Sequence, residues 1–172
     1  MIIVLLGYMG SGKSTTGRLL AEKLGFDFKD LDNYIETRQM CSISSIFKSQ
    51  GEIYFRKIEA TSVIELCSEN NSLVLALGGG TPCYSDTMSY LINHSKVVTV
   101  MLNTSVDNLF NRLETKKSKR PLISNLKNSE LKEFIAKHLF ERSFFYSQAE
   151  VSVLTDNLNQ KEVVERIVAK LF

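Results

Sequence analysis

Gly7-Tyr8-Met9-Gly10-Ser11-Gly12-Lys13-Ser14 is the stretch on which the fold turns. It has the form G-x-x-x-x-G-K-S, follows the apolar run Ile2-Ile3-Val4-Leu5-Leu6, and opens into the helix-like run Ser14 to Leu24. Strand, glycine-rich turn and helix in that order are the context a phosphate-binding loop requires. Glycines let backbone N–H groups turn inward around a polyphosphate where side chains would block it. The helix N-terminus adds partial positive charge. Lys13 can reach the outer phosphates, and the Ser14 hydroxyl is of the type that binds Mg²⁺ there. A nucleoside triphosphate is the expected ligand.

Working outward, short apolar runs alternate with longer helical ones. Strands are predicted at 2–6, around Phe26-Asp27-Phe28, at 73–77, at 97–102 and at 151–154. Five strands interleaved with helices predict a doubly wound, mostly parallel α/β sheet. Gly25 is placed to end the first helix. Ser129 is a candidate N-cap for a later helix that carries Leu131, Phe134, Ile135, His138 and Leu139 at helical spacing. The last helix shows Val163, Val164, Ile167, Val168 and Leu171 on one face. Residues 32–68 hold two or three helices where a simple crossover needs one. Residues 115–129 are basic and broken by Pro121, which predicts a mobile loop.

The chain has 172 residues, 44% hydrophobic and 23% charged, which predicts one domain with its own core. A net charge of +2 calls for neither nucleic acid nor a membrane surface as partner. Cys41, Cys67 and Cys83 lack metal-ligand spacing and are odd in number, as expected of thiols in a reducing compartment. The apolar start lacks a basic n-region and is too short to span a membrane. A cytoplasmic address is the expectation.

In an open α/β sheet, ligands bind beyond the carboxyl ends of the strands. Phe28-Lys29-Asp30-Leu31-Asp32 follows the second strand; two carboxylates two apart in extended chain point the same way. Beside a triphosphate one can hold Mg²⁺ through water and the other can accept a hydroxyl proton. A solvated turn is the plainer alternative. Arg56 and Glu59, three apart, share a helical face; spacing alone favours a surface ion pair, and an arginine oriented toward an anion is the alternative. Gly78-Gly79-Gly80 after the third strand lets a ligand touch bare backbone, or is merely a flexible turn. That strand ends without an aspartate, so the Asp30/Asp32 segment has to serve the metal. Arg112, Arg120 and Arg142 each read singly as solvated. Arg120, in the basic loop, can also close over a transferring phosphate. His94 and His138 read as core-edge or surface residues rather than catalysts.

As an ordered series, these residues resemble the shikimate kinase family. The match runs from Gly7–Thr15 through Phe28–Asp32 with Ile35-Glu36, Ile46-Phe47, Gly51-Glu52, Phe55-Arg56, Glu59 and Gly78–Gly80. It ends with Arg120-Pro121-Leu122 and Arg142-Ser143-Phe144-Phe145-Tyr146. The phosphate loop is common to many families; the triple glycine with three arginines in this order is far more selective. The resemblance implies an ATP- and Mg²⁺-dependent transfer of the γ-phosphate to the 3-hydroxyl of shikimate, in aromatic amino-acid biosynthesis. It implies a three-layer P-loop NTPase fold with a parallel sheet in order 2-3-1-4-5, a substrate-binding segment at about 33–61, a lid near 114–126, and a monomer.

Carried over by position, Gly10, Ser11, Gly12, Lys13, Ser14 and Thr15 would hold the nucleotide phosphates. Arg112 would cover the adenine, and Arg120 would reach ATP from the lid. Lys13 and Arg120 would act in catalysis with Asp32, the base that also holds shikimate's hydroxyls. Arg56 and Arg142 would clamp the carboxylate, with Glu59 holding Arg56. Gly78, Gly79 and Gly80 would contact the ring hydroxyls, Phe47 and Phe55 would wall the pocket, and Asp30 with Ser14 would hold Mg²⁺. Two departures stand out. The segment between Arg112 and Arg120 is one residue longer than the family pattern leads one to expect and is lysine-rich, and Thr155–Gln160 offers no arginine where many relatives place one by the adenine. The rival readings are another small-molecule kinase, such as a gluconate kinase, a nucleotide-binding relative without catalysis, and a GTP-dependent switch. The last needs an Asn/Thr-Lys-x-Asp motif, and Thr115-Lys116-Lys117-Ser118 lacks the aspartate.

Overall fold

A computed structural model describes residues 1–115 and 123–172. Its centre is β1 (Ile2–Leu6), five apolar residues all buried. Such a run, covered on both faces, is what a central parallel strand requires. Ile2, Val4 and Leu6 point to one face and Ile3 and Leu5 to the other, each into a separate core cluster. The remaining strands are β2 (Asp27–Asp30), β3 (Leu73–Ala76), β4 (Val97–Asn103) and β5 (Val151–Leu154). They align in the order β2-β3-β1-β4-β5, and every pairing is parallel. The predicted sheet is therefore the observed one, with ends displaced by a residue or two.

Helices α1 (Lys13–Leu24) and α7 (Gln160–Leu171) cover one face; Leu20, Val163, Val164 and Ile167 pack there on Ile3 and Leu5. On the other face lie α2 (Leu31–Gln39), α3 (Ile43–Glu69) and α4 (Thr87–Asn93). α3 is broken at Gly51, whose φ of 79° is one that side-chain-bearing residues rarely adopt, so three helical pieces fill the second crossover. A third apolar cluster joins α5 (Val106–Glu114) and α6 (Asn128–Tyr146) to Tyr8 of the phosphate loop. This third cluster ties the phosphate loop to α6, the helix that carries Arg142.

One predicted boundary is corrected. α6 is capped at Lys127 rather than Ser129, because the Lys127 N–H donates to the Glu130 carboxylate at 2.8 Å and starts the helix two residues earlier. Among the described residues no helix is long and apolar enough to cross a membrane. Residues 116–122, the heart of the expected lid, and with them Arg120, lie outside the described residues.

Candidate active site

The carboxyl ends of β1, β2 and β3 converge on one cleft. From β1 the chain enters the phosphate loop, where Gly12 stands at φ 98° immediately before α1. A side chain is strained in that conformation, and the turn needs it to aim the first N–H groups of α1 into the loop. Lys13 is buried, its Nζ donating to Gly7 O at 2.8 Å and Tyr8 O at 3.0 Å, so the ammonium arches back over the loop. Ser11 Oγ is buried without a hydrogen-bond partner among the described residues. A buried hydroxyl left unpaired calls for an explanation, and a ligand oxygen in the loop supplies one. Thr15 is exposed on the first turn of α1.

Asp30 closes β2 and caps α2, accepting from the Asp32 N–H at 3.2 Å. Its other oxygen accepts from the Ser14 hydroxyl at 2.5 Å. A hydroxyl and a carboxylate side by side at the mouth of a phosphate loop are hard oxygen donors of the kind Mg²⁺ uses alongside phosphates and water. The donor set therefore fits that ion.

Asp30 and Asp32 do not share an extended segment as the spacing suggested. Asp32 falls in the first turn of α2, since Asp30 satisfies the free N–H groups there and so starts the helix. The consequence is functional: Asp30 faces Ser14, and Asp32 faces the neighbouring cavity. Asp32 is exposed to solvent, with the cleft's other carboxylates and Lys13 close around it. Lost hydration pushes its carboxyl up to about 6, helped by the negative charges of Asp30 and Glu59 and opposed by Lys13.

That cavity, about 680 Å³, lies between α2, α3, the glycine turn after β3, and α6. Arg56 and Arg142 reach it from different helices, and Phe47 and Phe55 line one wall with ring centroids 4.7 Å apart. Arg56 is firmly held. Its Nη1 donates to Glu59 Oε2 at 2.8 Å, its Nη2 to Glu52 Oε1 at 3.2 Å, and Tyr84 lies 4.1 Å beneath it. Glu59 is only 2% exposed, and its second oxygen accepts from the Thr81 hydroxyl at 2.6 Å. The surface ion pair that spacing favoured is thus a buried bracket, since α3 turns this face inward against the turn after β3.

Arg142 contrasts with Arg56. Its neutral neighbours are Tyr8, His138 and Cys83, and none of the ion pairs among the described residues includes it. A guanidinium facing a cavity without a carboxylate of its own is a site for an anion. The glycines between these groups are needed for space. A methyl on Gly78 would stand 3.1 Å from both Asp32 Oδ1 and Glu59 Oε1, and one on Gly80 3.1 Å from the Arg56 guanidinium. Gly79 is fixed by its carbonyl, which accepts from the Tyr146 hydroxyl at 2.5 Å.

Arg112 is tied to the phosphate loop, its Nη1 donating to Gly10 O at 3.2 Å and Ser11 O at 3.3 Å. Gln160, at the start of α7, accepts from the Thr16 hydroxyl at 2.9 Å, which sets the arginine-free segment 155–160 against α1. Residue type marks none of Tyr146, Thr81, Tyr84 and His138 for the site: Tyr146 enters only within the resemblance, and His138 reads as a core-edge or surface residue. Each owes its place to a long-range contact that no local pattern records.

A phosphate loop on the central strand, an oxygen pair at its mouth and an anion-seeking cavity beside it define a P-loop phosphotransferase acting on a small acidic molecule. Residues 9–172 match the family model described as shikimate kinase. The chain is 49% identical to a shikimate kinase of Flavobacterium johnsoniae over 96% of both chains. It superimposes on the crystal structure of shikimate kinase from Bacteroides thetaiotaomicron with a TM-score of 0.93, at 36% identity, over 99% of this chain and 98% of that one. Shikimate kinase from Acinetobacter baumannii, solved in complex with shikimate, gives 0.88 at 32% identity, over 99% and 92%. The chain belongs to the shikimate kinase family. It is an ATP-using kinase with that family's activity.

Proposed function

We propose that this enzyme transfers the γ-phosphate of ATP to the 3-hydroxyl of shikimate, with the acid's carboxylate held between Arg56 and Arg142. The observation that carries the reading is the contrast between the two arginines. Arg56 is pinned by Glu59 and Glu52, while Arg142 faces the same cavity with neutral partners. One carboxylate between two guanidiniums neutralises the surplus charge and fixes which end of the substrate points toward the phosphates. Phe47 and Phe55 wall the ring, and Gly78, Gly79 and Gly80 leave room for its hydroxyls.

Asp32 lines the same cavity as the two arginines, and as general base it orients the attacking hydroxyl and takes its proton. Gly10, Ser11, Gly12, Ser14 and Thr15 cradle the phosphates through backbone N–H groups and hydroxyls. Lys13 moves from the loop carbonyls to the phosphate oxygens, where it offsets charge in the transition state. Ser14 and Asp30 would hold Mg²⁺, which supplies further neutralisation of the β- and γ-phosphate charge. Arg112, bonded to the loop carbonyls, covers the adenine when nucleotide binds; Arg120, from a lid at about 114–126, completes the charge around the transferring group. We assign these steps to one domain spanning 1–172, with the acceptor bound by about 33–61. It works as a cytoplasmic monomer on small molecules alone, without nucleic acid or membrane.

The test is calorimetric titration of Arg56→Lys and Arg142→Lys with shikimate. Lysine keeps the charge but loses the two-pronged contact, and the cost of losing charge-assisted bonds is about 1.5–3 kcal/mol each. Unchanged affinity in both variants would put the carboxylate elsewhere.

A further inference from the structure

His138 stands one helical turn before Arg142 on α6. Its Nδ1 lies 3.3 Å from Arg142 Nη1 and 3.3 Å from the Tyr8 hydroxyl. A guanidinium only donates hydrogen bonds, so an imidazole nitrogen that partners it must be the bare one. That assigns the ring proton to Nε2. Tyr8 closes the triangle: the Arg142 guanidinium lies 5.5 Å from the centre of its ring. Phe134 packs against the imidazole with ring centroids 4.3 Å apart, which restrains its rotation. Tyr8 is itself 1% exposed and belongs to the phosphate loop, so the triangle joins that loop to the substrate arginine.

We propose that His138 is a positioning residue for the anionic substrate: its acceptor Nδ1, shared by Arg142 and Tyr8, holds the Arg142 guanidinium in the orientation that grips the carboxylate. The inference rests on the assignment of Arg142 to that carboxylate. Arg142 has no carboxylate partner among the described residues to fix its long side chain, so neutral acceptors must restrain it. A proton on Nδ1 would set an N–H against the guanidinium and break the contact. The charged groups around the imidazole are Arg142, Lys137 and Glu141 on α6, and Tyr8 approaches it from the loop after β1. Burial and Arg142 hold the imidazole below its ordinary pKa, Lys137 adds to this, and Glu141 opposes it. The acceptor form is thereby favoured at neutral pH.

The experiment compares wild type, His138→Leu and His138→Asn in the intact enzyme. Asparagine carries an oxygen near the place of Nδ1 and does not titrate; leucine fills the space without an acceptor. Shikimate KM in His138→Leu should rise roughly three- to tenfold, the loss of one or two ordinary hydrogen bonds. Its kcat and melting temperature should change little, and His138→Asn should restore KM to near the wild-type value. As the pH falls below the ordinary imidazole range, the wild-type Kd for shikimate should carry a component that His138→Asn lacks. Asp32 titrates in the same range but is present in all three proteins, so their difference isolates the imidazole. An unchanged KM in His138→Leu, an equal rise in both variants, or identical pH dependence of wild type and His138→Asn would each overturn the proposal. If Arg142→Lys also binds shikimate normally, the underlying carboxylate assignment fails. If only the His138 variants do, this inference fails alone.

Discussion

Lowering the pH from 7 to 5 should reduce kcat/KM about tenfold through Asp32 alone. A general base works in its ionised form, so a raised pKa moves the acid limb of the rate profile upward. With its carboxyl pushed up to about 6, Asp32 is roughly 90% ionised at pH 7 and roughly 10% at pH 5. A carboxylate at its ordinary value of about 4 would lose only about a tenth over that interval. The cause can be tested separately. After lost hydration, the shift comes from the charges of Asp30 and Glu59. Glu59→Gln removes one of them while keeping the side chain's shape, and should move the midpoint toward lower pH whatever it does to the height of the profile. The assay is kcat/KM with both substrates well below their KM, read as ADP released, so that the profile reports the free enzyme. The His138→Asn background removes the overlapping imidazole. A rate that stays flat down to pH 5, or a midpoint unmoved in Glu59→Gln, would refute the reasoning.

Asp32→Asn should lower kcat by about 10²–10⁴-fold while ATP affinity measured by titration stays near the wild-type value. Asp30→Asn should raise the Mg²⁺ concentration needed for half-maximal rate, because the carboxylate beside Ser14 loses its charge; a magnesium titration of the rate checks this, with shikimate KM as the control that should not move. Gly17→Ala would set a methyl 2.5 Å from the Phe28 ring, and overpacking at that helix–strand contact should cost about 1–3 kcal/mol in denaturant unfolding. Arg120→Ala should lower kcat far more than it changes shikimate KM if its contact strengthens in the transition state.

The sheet was legible because its signals are local. β1 is a continuous apolar run feeding a fixed glycine pattern, and β3 and β4 repeat the run. The phosphate loop was legible for the same reason. What escaped depends on contacts between distant segments. Glu59 reads as a surface partner of Arg56 until the turn at Thr81 covers it. His138 reads as an edge residue until Tyr8 arrives from the other end of the chain, 130 positions away. Asp32 illustrates a third kind of miss: the two aspartates were found, but their separation into metal and acceptor sides follows from a helix cap. The Asp30 carboxylate starts α2 where extended chain was expected.

The most direct measurement of the central claim is the release of ADP from MgATP with shikimate, gluconate or a nucleoside monophosphate as the sole acceptor, with the product located by phosphorus NMR. The account predicts turnover that depends on shikimate, with the new phosphate ester on its 3-hydroxyl, and only background rates with the other two acceptors. ADP release that is indifferent to shikimate, or faster with gluconate, would contradict it.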